Sequence, residues 1–294
     1  MNEEPRLFLV ATPIGNLEDI SLRALRILKE VDWIAAEDTR HTGLLLKHFE
    51  IKKPMISYRE HNQNQAGSQI MTLLSEGQKV ALVSDAGMPG ISDPGVHLVR
   101  LAMDNQVPYT IIPGASAGIS ALVLSGLNTE RFTFEGFLPI KNNIRLKRLK
   151  EIAQDKRTLI LYEAPHRIMK TLLDLKAHIQ QNRQVVLVRE MTKIHEEVVR
   201  GNVDELIEWA NHRTVKGEIV LLLEGAQQEV VSLPNDIVLR DELMALLSKG
   251  VSKKNAVEQL SQSYPINRQE LYRILLQEET SDGDNYGTIT KNPT

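Results

Sequence analysis

From residue 6 to 224 the chain repeats one pattern: a short run of β-branched and aliphatic residues, a loop, then an amphipathic stretch. The strand candidates are RLFLVAT, DWIAA, KVALVSD, PYTIIP, TLILYE, QVVLVRE and GEIVLLLEG. Runs this short and this apolar bury both faces, as strands do when helices cover a sheet from either side. The stretches between them carry helix signals. Ser21 is placed to cap a helix whose apolar face is Leu22, Leu25 and Leu28, and Gly77 stands where a helix ending near Glu76 needs a left-handed residue. Alternation of strand and helix predicts an α/β architecture with largely parallel sheets.

Two breaks interrupt the pattern. PGASAG (residues 113–118) marks one, giving an N-terminal α/β domain over 1–113 and a C-terminal α/β domain over 114–225. Polar AQQEVVSLPND follows, and residues 226–277 then read as a small all-helical, helix-turn-helix-like extension with Ser252 and Asn267 as N-caps. Residues 278–294 hold almost no apolar side chains and are expected to be a disordered tail.

Composition removes several function classes. The absence of cysteine excludes disulfides, thiolate metal sites, iron–sulfur clusters and a cysteine nucleophile. No histidine pair has HExxH spacing, so no metal site is expected. No stretch approaches the ~20 apolar residues of a membrane span, and the acidic start MNEEP lacks the basic and apolar regions of a secretory signal, so the expected location is cytoplasmic. The net charge of -3 denies the chain a global nucleic-acid-binding charge; a local patch would have to serve. One basic run exists, KNNIRLKRLK (residues 141–150).

Three loops rich in glycine, proline and small residues follow strand candidates: ATPIGNLED, SDAGMPGISDPG and PGASAG. At the carboxyl ends of strands in an open sheet such loops form ligand sites. They contain no GxxxxGK[ST], no GxGxxG and no lysine, and Asp19, Asp85 and Asp93 stand in them. That chemistry disfavours a phosphate and suits a neutral or cationic ligand; a sulfonium cofactor, S-adenosylmethionine, meets the description.

The ordered series ATPIGNLEDIS, AAEDTR, SDAGMPGISDPG, PGASA, GFLP, YEAPHR, MTKIHEE and GEIVLLLEG closely resembles the ribosomal-RNA-modifying branch of the tetrapyrrole-methylase superfamily over residues 6–225. The second loop reads SDAG where the wider superfamily has a GGDP-type sequence, and Met88 stands where threonine is expected. The resemblance implies two αβα domains with S-adenosylmethionine in the cleft between them, and a homodimer. It also implies a reaction: 2′-O-methylation of the ribose of a cytidine in the decoding region of small-subunit ribosomal RNA, either free or in the assembled subunit.

Carried over residue by residue, the resemblance places Pro13 and Gly15 at the cleft mouth. Asp85, Gly87, Met88 and Gly90 fall around the methionine part, and Ser116 and Ala117 on the pocket floor. Tyr162, Glu163, Val199, Glu218, Ile219 and Val220 fall around the adenine. The RNA would lie across Arg40, His61 and the basic run with Lys141, Arg145, Lys147 and Arg148. A hydroxyl nucleophile needs a base or a stabilising cation, for which Asp38, His61, Glu163 and Lys193 are candidates. Two other readings remain at this stage: a methylase acting on a tetrapyrrole, and a non-catalytic nucleic-acid-binding ligand sensor.

Overall fold

The computed structural model describes residues 4–227, 234–264 and 266–276. They fall into two compact units that divide after Gln227.

In the first unit, the chain begins with β1 (Leu7–Val10), α1 (Leu22–Glu30), β2 (Trp33–Ala36), α2 (Thr39–His48), β3 (Met55–Ser57), α3 (Gln63–Ser75), β4 (Val80–Val83), α4 (Val96–Asp104) and β5 (Tyr109–Ile112). The strands make one all-parallel sheet in the order β3-β2-β4-β1-β5. Side chains alternate across it. Phe8, Val10, Ala81 and Val83 pack against α1 residues Ala24, Ile27 and Leu28 on one face; Leu7, Val80 and Leu82 pack against Ile70, Leu74 and Leu98 on the other. Ser21 caps α1 as expected, accepting from the Ala24 N–H. The buried face is nevertheless Ala24, Ile27 and Leu28, and Leu22 is 85% exposed.

The chain continues with α5 (Ala117–Ser125), β6 (Phe132–Phe137), α6 (Asn142–Gln154), β7 (Thr158–Glu163), α7 (Ile168–Lys176), β8 (Val185–Arg189), β9 (Glu197–Gly201), α8 (Val203–Asn211) and β10 (Ile219–Leu223). This second sheet, β6-β7-β10-β8-β9, is mixed. Only β6 and β7 run parallel; β10 pairs antiparallel with both β7 and β8, and β8 and β9 form an antiparallel pair. The expectation of largely parallel sheets thus holds for the first sheet and not for the second. The cause is the short 190–196 connection, which returns β9 as a hairpin where a crossover helix would have kept the strands parallel.

Apart from these, the second unit holds α9 (Asp236–Ser248), α10 (Lys253–Ser263) and α11 (Arg268–Leu276). Leu239, Leu243, Val257, Leu260, Leu271 and Ile274 form its core. Ser252 caps α10 by accepting from the Asn255 N–H, and the Asn267 side chain accepts from the Gln269 N–H. The tail expected to be disordered, 278–294, lies outside the described residues.

Candidate functional site

The loops after β1 and β4 are locked together at the carboxyl end of the first sheet. Thr12 N–H donates to the Gly87 carbonyl at 2.9 Å and Gly87 N–H returns the bond to Thr12 at 3.1 Å. Thr12 Oγ1 donates to the Ser84 carbonyl, and Ser84 Oγ to that of Gly87. Gly87 has φ +80°, and a Cβ there would stand 3.3 Å from Ile14, so the crossing of the two loops depends on glycine. The third loop delivers Ser116 and Ala117 at the start of α5.

Facing these loops is the second sheet, whose chain ends supply Phe137, Tyr162, Val188, Met191 and the segment 217–220. Together they enclose a cavity of about 400 Å³, within the range of small-molecule sites. Tyr162 is held edge-on to Phe134 and Phe137, and its hydroxyl accepts from the Gly118 N–H at 3.1 Å. Burial raises the Tyr162 pKa, so its hydroxyl stays neutral.

A second, more polar cavity of about 610 Å³ adjoins the first. Glu37, Asp85, Ser92 and Asp93 line both. Beyond that shared wall it is bordered by Asp38, Arg59, His61, Gln63 and His97. The wall is acidic, and its carboxylates are unequal. Asp85 accepts from the Asp38 N–H at 3.0 Å. Glu37 has its pKa raised by burial and by the Asp85 charge, and its Oε2 is buried without a partner. Asp93 is pushed up to about 7 by burial and by the charges of Glu37 and Asp85.

Of the residues assigned to the cofactor from sequence, Asp85, Gly87, Met88, Ser116, Ala117, Tyr162, Glu218, Ile219 and Val220 line the first cavity. Pro13, Gly15, Gly90 and Val199 do not. Gly15 packs on the 191–193 segment, where its Cβ would meet Lys193 and Thr192, and the next amide, Asn16 N–H, donates to Thr192 Oγ1 at 3.1 Å. Val199 opposes Leu187 and packs into the core on the far face of the second sheet; its neighbour Val198 packs on the cavity side. The one-residue step between them reverses the face.

Among the candidate catalytic groups, three are already engaged. Asp38 caps α2 and pairs with Arg40 at 2.9 Å and Arg59 at 3.5 Å; the Arg40 hydrogen bonds hold its carboxyl well below the usual carboxylate range. Glu163 lines the first cavity, but its carboxylate accepts from Thr171 Oγ1 and from the Ala164 N–H and pairs with Arg167. Lys193 is held by Glu190 at 2.9 Å and Glu218 at 3.1 Å; burial works against its charge, yet these bonds outweigh it and raise its pKa. His61 is exposed at the rim of the polar cavity.

The basic run is not a uniform surface. Arg145, only 4% exposed, donates to Asp174 at 2.7 Å and to Thr171 at 2.8 Å, so it is a core residue and not an RNA contact. Arg148 pairs with Glu135 and Glu151, while Lys141 and Lys147 are exposed. Arg40 is exposed and tied to Asp38. Sequence reasoning had not singled out Ile14, Glu37, Ser92, Phe137 or Met191 as lining residues, and had noted Asp93 only as a loop acid. Ile14 and Ser92 lie inside the motifs already marked by glycine and proline, which was the available signal.

This geometry has relatives. A model of the tetrapyrrole (corrin/porphyrin) methylases matches residues 6–207. The chain is 48% identical over 277 residues to a ribosomal RNA small subunit methyltransferase I of Synechocystis sp., covering 94% of this chain and 99% of that one. It is 42% identical to the protein of the same name from Escherichia coli O157:H7, covering 95% and 97%. Among solved structures it is similar to the methyltransferase CobJ, with TM-score 0.59, 15% identity and coverage of 76% and 95%. It is also similar to a uroporphyrin-III C-methyltransferase from Thermus thermophilus complexed with S-adenyl homocysteine, with TM-score 0.53, 19% identity and coverage of 78% and 100%. The structural likenesses establish the fold; the sequence matches establish more, and on them the chain belongs to the tetrapyrrole (corrin/porphyrin) methylase family.

Proposed function

We propose that this chain is an S-adenosylmethionine-dependent methyltransferase that methylates the 2′-hydroxyl of a cytidine ribose in the decoding region of small-subunit ribosomal RNA. The observation that carries the reading is the pair of adjoining cavities with one shared wall, one apolar and the other polar, in a chain that follows the named ribosomal RNA methyltransferases nearly end to end. The first cavity suits the cofactor: its lining is mainly apolar, Gly87 lets backbone approach closely, and the Glu37 and Asp85 carboxylates favour a cation. S-adenosylmethionine bound there supplies a methyl group activated by a positive sulfur.

The chain's own residues orient and enclose. Tyr162, braced by Phe134 and Phe137, offers an aromatic face beside the 217–220 backbone, where an adenine would lie. Met88, Ser116 and Ala117 line the same cavity and give the bound cofactor surfaces to pack against. The polar cavity receives the ribose, and Arg40, His61, Lys141 and Lys147 contact phosphates around it. The enzyme acts as a cytoplasmic homodimer. Exposed apolar side chains on the edge strands β5 (Tyr109, Ile111) and β6 (Phe132, Phe137) and on α5 (Ile119, Val123) support a self-association surface.

The test uses tritiated S-adenosylmethionine with small ribosomal subunits, their naked RNA and a precorrin-type macrocycle. Label is expected in the RNA, at a cytidine whose 3′-phosphodiester then resists alkaline cleavage. Label entering only the macrocycle would overturn the assignment.

A further inference from the structure

The lining of the polar cavity falls into two unlike parts. Glu37, Asp85, Ser92 and Asp93 form the wall shared with the first cavity. The part that belongs to the polar cavity alone carries the hydrogen-bond donors Arg59, His61, Gln63 and His97, together with Asp38 and Glu60. Asp38 is answered by Arg40 and Arg59, and Glu60 is exposed. A nucleotide that turns its ribose hydroxyl to the shared wall presents its phosphate to these donors. Arg59 is already engaged, through its Nε with the Glu37 carbonyl at 2.8 Å and through a terminal nitrogen with Asp38. His61 is exposed at the rim.

His97 differs from both, because its ring is fixed from behind. It is half-buried in the first turn of α4, and its Nδ1 lies 3.1 Å from the Tyr58 hydroxyl. Tyr58 follows β3, is fully buried in the cluster of Ile70, Leu74 and Leu98, and donates its own N–H to the Ala36 carbonyl at 2.8 Å. Burial pushes its phenol up to about 12, so the proton stays on the oxygen. That oxygen also accepts from the Leu98 N–H, which directs the phenol proton to His97 Nδ1. A neutral ring accepting at Nδ1 carries its hydrogen on Nε2, and a cationic ring carries one there as well. Nε2 is a donor in either state, and among the described residues no partner engages it. The neighbouring helix braces the ring. A Cβ on Gly67 of α3 would stand 3.4 Å from His97 Cε1 and 2.8 Å from Leu101 Cδ1, so this close approach of α3 to α4 needs glycine.

We propose that His97 is a substrate-binding residue whose Nε2–H donates to a phosphate oxygen of the nucleotide being methylated, with Tyr58 as its positioning residue. The inference rests on the ribosomal RNA methyltransferase reading above and deepens it, by assigning the donor-rich lining of the polar cavity to the RNA backbone. A phosphate held there keeps its charge off the carboxylates of the shared wall, which would repel it. The ribose hydroxyl is then left to face that wall, on the side of the methyl donor. Tyr58 touches no substrate; it selects which imidazole nitrogen points into the cavity, as second partners of functional histidines do.

The experiment measures methyl transfer against small-subunit concentration, with cofactor affinity by calorimetry and Tm by circular dichroism. The proteins are the wild type, His97→Ala, His97→Gln, His97→Asn, Tyr58→Phe and the double variant Tyr58→Phe/His97→Ala. His97→Ala should raise KM for the subunit about tenfold or more, the scale of one hydrogen bond to a charged oxygen, with cofactor affinity changed less than about threefold. His97→Gln, whose amide nitrogen reaches the place of Nε2, should recover most of that loss. His97→Asn, which reaches only the place of Nδ1, should not. Tyr58→Phe should raise KM by a smaller factor alone and add nothing in the His97→Ala background. A KM for His97→Ala within about twofold of wild type, or a Tyr58→Phe effect that persists without His97, would overturn the proposal. So would equal defects in His97→Gln and His97→Asn, a contrast that decides the matter if His97→Ala does not fold. Lowered Tm with unchanged KM marks a purely structural pair and overturns it too. A wild type that transfers no methyl to the subunit refutes the underlying reading instead.

Discussion

Arg145 separates two views of the 141–150 segment, as an RNA-facing patch or as the outer wall of the second core. Its guanidinium makes two short hydrogen bonds, to Asp174 at 2.7 Å and Thr171 at 2.8 Å, and Thr171 in turn donates to Glu163 on the cavity wall. Replacement by methionine keeps the stem and removes both bonds. A charged hydrogen bond contributes a net of about 1.5–3 kcal/mol, which puts two at about 3–6 kcal/mol. The Asp174 side chain is 30% exposed and regains water when its partner leaves, so the lower end, about 3 kcal/mol, is the expected loss. In a body of this size each kcal/mol moves Tm by roughly 2–4 °C, giving a drop of about 6–12 °C by circular dichroism. RNA affinity of the folded Arg145→Met protein should match wild type at each salt concentration. A Tm within about 2 °C of wild type, joined to a binding salt slope shallower by about 1, would refute the structural assignment.

Two further outcomes follow from features away from this network. Asp93 has a folded-state pKa of about 7 against about 4 for an unfolded aspartate, so between those values the native state binds more protons and stability falls as pH rises. Asp93→Asn should therefore melt above wild type at pH 8, with the difference closing toward pH 4, in scanning fluorimetry across that range; a constant offset would refute the pKa argument. Val123, on α5, is 70% exposed, and Val123→Glu should convert the proposed dimer to monomer in light scattering, whereas an unchanged mass would exclude α5 from the interface.

The parts of the molecule legible in the sequence were those written in backbone chemistry. Central strands such as β4 and β10 are unbroken aliphatic runs, and the three loops that meet at the first cavity announce themselves by glycine and proline. Three strands escaped. Three-residue β3 is too short to show a period, β6 carries a bulge between Phe134 and Gly136, and β9 is a partly polar edge. Side-chain roles were harder, because they depend on three-dimensional neighbours. Arg145 looks like any other cation in KNNIRLKRLK until Asp174 and Thr171, far along the chain, turn out to enclose it. Val199 and Val198 are indistinguishable until the register of β9 against β8 assigns their faces. Asp93 reads as a turn aspartate before proline; only its burial beside Glu37 and Asp85 in the folded chain raises its pKa.

The antiparallel entry of β10 into the middle of the second sheet imposes an order on biosynthesis. The first sheet has all its strands once the chain reaches Ile112, so it can assemble while the rest is still on the ribosome. The second sheet cannot. Its central strand is the last to be made, and until Leu221 emerges to pair with Leu161 on one side and Leu187 on the other, β7 and β8 have no partner between them. Ile219 and Val220, which line the first cavity beside Tyr162, belong to that same strand, so a nascent chain completes this cavity only when synthesis of the α/β portion is complete.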